Sequence, residues 1–219
     1  AVQTSSLYFG FPLYFANSLD TFQEDLQRAR PTLFFSVPRL WMKFYLGVNA
    51  KLPPKKQKLL FNLPIISGLV KKKVLKQLGL DYCRAALTGA APLSADIVNW
   101  YRNLGLELLE VYGMSENFGY SHANRPGQAR AGSVGMANPG VEHRIGEGGE
   151  VQVKSPGQML GYYKNAEKTK EDLTDEGFLK TGDMGEIDRD GTLRITGRVK
   201  DLFKTSKGKY VVPVPIENR

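Results

Sequence analysis

Within five residues, Tyr112-Gly113-Met114-Ser115-Glu116 places an aromatic ring, a hydroxyl and a carboxylate. A tyrosine ring can lie flat on a nucleobase, a serine hydroxyl can donate to a phosphate oxygen, and a carboxylate can hold the magnesium that accompanies phosphate. Together these groups suit a ligand whose base and phosphate lie close to each other. The same residues also suit a plain surface turn with Ser115 as a helix N-cap, so other stretches must decide.

The elements that would carry this cluster are legible on either side of it. Leu106 to Tyr112 is short, apolar and strand-compatible, and Gly113 allows a sharp turn at its end. In open α/β sheets ligands gather at that end of a strand. Upstream, Tyr82 to Thr88 is a second apolar strand, followed by Gly89-Ala90-Ala91-Pro92-Leu93, small residues that let a flat ligand approach the backbone. Ser94 is placed to cap a helix whose buried face is Ile97, Val98, Tyr101 and Leu104. Residues 82–116 therefore read as a βαβ unit with two strand ends directed at one site.

The rest of the chain divides by texture. Leu7 to Phe15 is aromatic and apolar, and predicts a buried strand or the wall of a binding tunnel. Asp20 opens a helix through Arg28, Thr32 to Val37 reads as a strand, and Pro38 starts a helix through Phe44. Ile65, Ile66, Leu69, Val70, Val74, Leu75 and Leu78 recur at helical spacing, with Lys71, Lys72 and Lys76 largely on the other side. From Gly132 short strands alternate with turns: Val141 to Ile145 with Glu150 to Lys154, and Gly185 to Asp188 with Thr192 to Thr196, form two hairpins. The fold class predicted is α/β, with a parallel or mixed sheet and flanking helices followed by a small, mostly antiparallel β subdomain. Boundaries are expected at 1–131, 132–200 and 201–219.

Composition narrows the function classes. The chain has 219 residues, 42% of them apolar, enough for one good core or two small ones. No apolar run reaches the ~18 to 20 residues of a membrane span. The single cysteine, Cys83, excludes an internal disulfide and reads as core, which makes the cytosol the expected compartment. The net charge of +8 is local, because eight lysines fall between Lys51 and Lys76. A basic amphipathic helix can rest on a membrane, giving a peripheral contact, or can be a surface helix with a solvated lysine face. The lysines lack the interleaved aromatics of a base-stacking surface, so no specific nucleic acid partner is expected. His122 and His143 are the only histidines; no metal spacing or Ser-His-Asp pattern can be built on them, and His122 reads as structural.

Thr88 to Leu93, Tyr112 to Glu116, Gly161-Tyr162-Tyr163, Thr181-Gly182-Asp183 and the run from Ile195 to Tyr210 continuing to Pro215-Ile216-Glu217-Asn218 stand in this order along the chain. With them the sequence resembles the acyl-adenylate-forming superfamily, and its long-chain fatty acid–CoA ligase branch in particular. The resemblance implies that Tyr112 stacks on adenine beside Gly113, that Ser115 contacts the α-phosphate and that Glu116 holds magnesium. Gly89, Ala90 and Ala91 would border adenine and the acyl group, Asp183 would accept from both ribose hydroxyls, and Arg198 would serve the ribose and phosphate region. Ser115, Glu116 and Arg198 would be the catalytic residues, and Lys200 the hinge before a mobile C-terminal domain starting at Asp201. Implied substrates are a fatty acid, ATP with magnesium, and coenzyme A. Shorter-chain or aryl acid ligases, and a non-catalytic nucleotide-binding scaffold, are the alternatives. The family's Ser/Thr/Gly-rich phosphate loop and its downstream lysine are missing from these residues. The chain is therefore expected to be an inactive piece of a longer protein, lacking N- and C-terminal parts.

Overall fold

The computed structural model describes residues 2–64, 66–201, 203–204 and 210–211. The predicted start of a C-terminal domain falls largely outside them, as do Ile65 and the resemblance at 205–209 and 215–218. The chain forms two compact units, one of residues 1–91 and 95–108, the other of 92–94 and 109–219. The change of texture at Gly132 lies inside the second unit.

In the first unit β1 (Leu33–Ser36) and β2 (Ala85–Thr88) run parallel, with Leu33 opposite Ala85 and Ser36 opposite Thr88. Among the described residues six helices accompany them: α1 (Val2–Phe9), α2 (Phe22–Ala29), α3 (Pro38–Lys51), α4 (Pro54–Asn62), α5 (Ile66–Leu78) and α6 (Ala95–Leu104). The core is aromatic. Trp41 of α3 and Tyr101 of α6 are fully buried with ring centroids 5.1 Å apart and planes at 81°, an edge-to-face pair. Such a pair is worth about 0.5–1.5 kcal/mol beyond the area it buries. The Tyr101 hydroxyl donates to the Trp41 carbonyl at 2.8 Å, so burying it leaves no orphan donor. Ile97, Val98, Tyr101 and Leu104 form the inward face of α6, as their spacing predicts.

Three expectations need correction here. Leu7 to Phe15 is neither a strand nor buried: residues 2–9 are helical, and Leu7, Tyr8 and Phe9 are 89%, 83% and 73% exposed. An aromatic run without strict alternation carries no fixed period, and the helix hydrogen bond from Gly10 N to Ser6 O settles it. The second helix starts at Phe22 rather than Asp20, because the Asp25 carboxylate accepts from Asn17 N and Thr21 Oγ1 and sets the entry turn. Helix α3 continues past Phe44 to Lys51, stopping only where Pro53 disfavours helical geometry at Leu52.

The second unit is a sheet in the order β3 (Leu108–Tyr112), β4 (His122–Ala123), β5 (Gly135–Ala137), β9 (Thr192–Arg198), β8 (Leu179–Ile187), β7 (Glu150–Lys154), β6 (Glu142–Ile145). Every neighbouring pair is antiparallel. Both predicted hairpins are present, as β6–β7 and β8–β9. Helix α7 (Ala166–Asp172) is capped by Asn165, whose side chain accepts from Lys168 N at 3.1 Å. Val151, Val153, Leu179 and Leu193 are buried at its centre, and Tyr112 and Met114 pack against them. The strand that carries the polar cluster is thus anchored by the same residues that hold the sheet together.

Candidate nucleotide site

The site is built where β3 ends beside β8 and β9. Gly113 must be glycine: a Cβ there would stand 2.5 Å from the carbonyl carbon of Gly119, whose N–H closes the loop onto Met114 O at 2.8 Å. Ser115, Glu116 and Asn117 form a single 3₁₀ turn, and the Asn117 side chain accepts from Met114 N at 2.9 Å. Asn117, rather than Ser115, therefore does the capping. Ser115 stays exposed, and its hydroxyl has no side-chain partner among the described residues.

Asp183 lies on β8 directly opposite Arg198 of β9. Its side chain is only 13% exposed, with Oδ1 at 3.3 Å from Arg198 Nε and Oδ2 accepting from the Tyr112 hydroxyl at 2.8 Å. Tyr112 and Asp183, 71 residues apart, thereby share one small polar cluster with Arg198. Burial pushes the Asp183 carboxyl above its usual range, while the Tyr112 hydrogen bond and the Arg198 charge pull it back. Burial, and next the nearby Asp183 charge, raise the Tyr112 phenol, which remains a donor. Thr181 Oγ1 donates to Val151 O at 2.7 Å and accepts from Asp183 N at 3.1 Å, fixing the backbone from which Asp183 projects.

Glu116 is held in a way that the sequence reading did not identify. The Tyr162 hydroxyl lies 3.0 Å from Glu116 Oε1 and 3.0 Å from Asp172 Oδ2. One phenolic proton serves two carboxylates, and burial followed by those two acceptors raises the Tyr162 phenol. Lys168 Nζ completes the network at 2.8 Å from Asp172 Oδ1. The backbone repeats the tie, since Met159 N donates to Glu116 O at 2.7 Å. At Gly161, φ is +154° and a Cβ would meet Thr169 Cγ2 at 2.9 Å, so the turn that presents Tyr162 needs glycine too. The signal was available in Gly161-Tyr162-Tyr163, but a pairing across 46 residues has no local spacing to reveal it.

Gly89, Ala90 and Ala91 follow β2 in the first unit; Gly89 is buried, the other two are exposed, and Ala90 adopts φ +70°. Just before them Thr88 Oγ1 is buried with no hydrogen-bond partner among the described residues. Lys200 is exposed in the short 3₁₀ turn Val199–Asp201 that follows β9.

His122 is buried and hydrogen-bonded within the second unit. It is 1% exposed, lies 2.8 Å from Ser121 Oγ and 2.7 Å from His143 Nδ1, and burial followed by the neighbouring His143 drives its pKa down to about 3. Among the described residues no group of three or more His, Cys, Asp or Glu forms a metal cage.

Tyr112, Asp183 and Arg198 meet in one polar cluster on the sheet, and residues 2–163 match the AMP-binding enzyme family. The chain belongs to that family. It is 35% identical to the long-chain-fatty-acid–CoA ligase ACSBG2 of Gallus gallus over 243 aligned residues, covering 96% of this chain and 32% of that protein. It is 40% identical to the long-chain-fatty-acid–CoA ligase FadD15 of Mycobacterium bovis over 155 residues, covering 71% of this chain and 26% of that one. Among solved structures, ATP-bound MatB from Rhodopseudomonas palustris superposes with a TM-score of 0.75 at 29% identity, over 99% of this chain and 40% of that one. The chain thus spans about a third of the curated relatives it matches.

Proposed function

We propose that this chain carries the adenine, ribose and magnesium side of a site that ligates a long-chain fatty acid to coenzyme A at the expense of ATP. The observation that carries the reading is the meeting of Tyr112, Asp183 and Arg198 in one cluster. Tyr112 supplies the face on which adenine stacks, and Asp183 supplies an acceptor for each ribose hydroxyl. Arg198 supplies a permanent charge toward the ribose and phosphate. Ser115 donates to the α-phosphate, and Lys200 is the hinge toward the following domain.

In the reaction a carboxylate oxygen of the fatty acid attacks the α-phosphorus and pyrophosphate leaves, giving an acyl-adenylate. The thiol of coenzyme A then attacks the acyl carbonyl, loses its proton, and AMP leaves. Carboxylate and triphosphate repel each other; Glu116 would hold magnesium, which would supply positive charge to offset this repulsion. Tyr162 orients the Glu116 carboxylate by donating to Oε1.

These 219 residues contain no Ser/Thr/Gly-rich loop for the β- and γ-phosphates, so the chain alone is inactive in this reading. The test incubates the purified chain with a long-chain fatty acid, ATP, magnesium and coenzyme A. Acyl-CoA formation at rates ordinary for an enzyme would contradict the proposed inactivity. A second reading, a ligase for a short acid, is favoured by one neighbour, a malonyl-CoA ligase with methylmalonyl-CoA and AMP bound, at TM-score 0.62 and 29% identity. Competition between labelled acids of different length on a longer form of the protein separates the two.

A further inference from the structure

Residues 51–80 hold eight lysines and no Asp, Glu or Arg; elsewhere the chain is balanced, with 22 basic and 22 acidic residues. The segment folds as the helical hairpin α4–α5, and α5 also contacts α2 and α6. Its inward seam is settled. Gln57, Phe61, Val74 and Leu78 are buried, and Gln57 is fully engaged by Trp100 Nε1 at 2.7 Å and Leu52 O at 2.7 Å.

The outward seam departs from the pattern that the sequence suggests, in which Ile66 and Leu69 belong to the buried face. Leu59, Ile66 and Leu69 are 65%, 45% and 68% exposed. Lys55 and Lys56 precede Leu59 by one helical turn, and Ile66, Leu69, Lys72, Lys73 and Lys76 follow one another at helical spacing along α5. On each helix, therefore, exposed aliphatic and cationic side chains fall at helical spacing on one outward side. Lys71 is set apart from it, bound to Asn103 Oδ1 at 2.9 Å.

A solvated lysine face has no use for exposed leucines, and a nucleic acid offers them nothing to bury against. Anionic phospholipid satisfies both halves: headgroups for the ammonium groups and acyl chains for the aliphatic tips. We propose that the α4–α5 hairpin docks on an anionic membrane surface, with Leu59, Ile66 and Leu69 entering the acyl boundary and the exposed lysines lying among the headgroups.

The test is co-sedimentation of the chain with vesicles of phosphatidylcholine alone or mixed with phosphatidylserine, at an ionic strength of about 0.15 M. Binding to the mixed vesicles only is expected. Leu59→Ser with Leu69→Ser leaves the charge unchanged and should weaken binding on the order of 10-fold. Lys72→Gln, Lys73→Gln and Lys76→Gln together should do the same, whereas Lys43→Gln, Lys164→Gln and Lys170→Gln, which remove equal charge elsewhere, should not. Wild-type binding by the leucine variant, equal loss in the control triple, or tighter binding to duplex DNA than to vesicles would overturn the proposal. If the leucine variant fails to fold, the comparison of the two lysine triples decides.

Discussion

The Tyr112 hydroxyl donates to Asp183 Oδ2 at 2.8 Å while Arg198 Nε stands 3.3 Å from Oδ1, so both oxygens of a nearly buried carboxylate are engaged before any nucleotide arrives. In the proposed site a ribose would have to share or displace these partners. Removing only the hydroxyl, with Tyr112→Phe, keeps the ring and should change AMP affinity by less than the stacking contribution. Tyr112→Ala removes the ring and should cost about 1–3 kcal/mol of binding. Titration calorimetry on both variants checks the order; equal loss in both would place the function in the hydroxyl instead.

Tyr162 couples Glu116 to α7. Tyr162→Phe deletes the proton shared between Glu116 Oε1 and Asp172 Oδ2, and the Glu116 carboxylate loses its orienting donor. Binding of Mn²⁺ in the presence of ATP, followed by electron paramagnetic resonance, should weaken several-fold in Tyr162→Phe. It should be lost in Glu116→Gln. Unchanged Mn²⁺ binding in Glu116→Gln would remove the magnesium role; unchanged binding in Tyr162→Phe alone would remove only the orienting one.

Much of the fold could be read in advance because local patterns carry it. The α6 face, both hairpins and the proline at the start of α3 follow from period and turn chemistry within a few residues. Tyr112, Ser115 and Glu116 stand out by residue type, Asp183 and Arg198 through the family resemblance, and the structure brings Tyr112, Asp183 and Arg198 together. What stayed hidden depends on distant partners. The Tyr162–Glu116 contact, the outward turn of Leu69 and the exposure of Leu7 to Phe9 are decided by what each side chain meets, which spacing does not encode.

Glu110 offers a pH-dependent test of the second unit. It is 6% exposed, and burial raises its carboxyl from 4.5 to about 7 despite hydrogen bonds from the Gly132 and Leu93 backbones. The folded state therefore holds a proton that the unfolded chain releases between those values, so this group's contribution to stability falls as pH rises from 4.5 through 7. Glu110→Gln removes that fall. Relative to wild type, the variant should gain up to about 3 kcal/mol on going from pH 4 to pH 8, measured by urea unfolding.

The buried histidine pair acts with the opposite sign. His122 is neutral in the fold, its pKa lowered from 6.5 to about 3, so stability is full above 6.5 and declines as pH falls toward 3. One such group contributes a slope of about 1.4 kcal/mol per pH unit in that window. His122→Gln should flatten the acid side of the stability profile by about this slope while lowering stability at neutral pH through lost packing.

Calorimetric titration of the chain with AMP or a non-hydrolysable acyl-adenylate mimic bears most directly on whether Tyr112, Asp183 and Arg198 form a nucleotide site. Saturable heat in the wild type that disappears in Asp183→Ala, with an unchanged melting temperature, is the result predicted. Absence of binding in the folded wild type, or heat indifferent to Asp183→Ala, would contradict it.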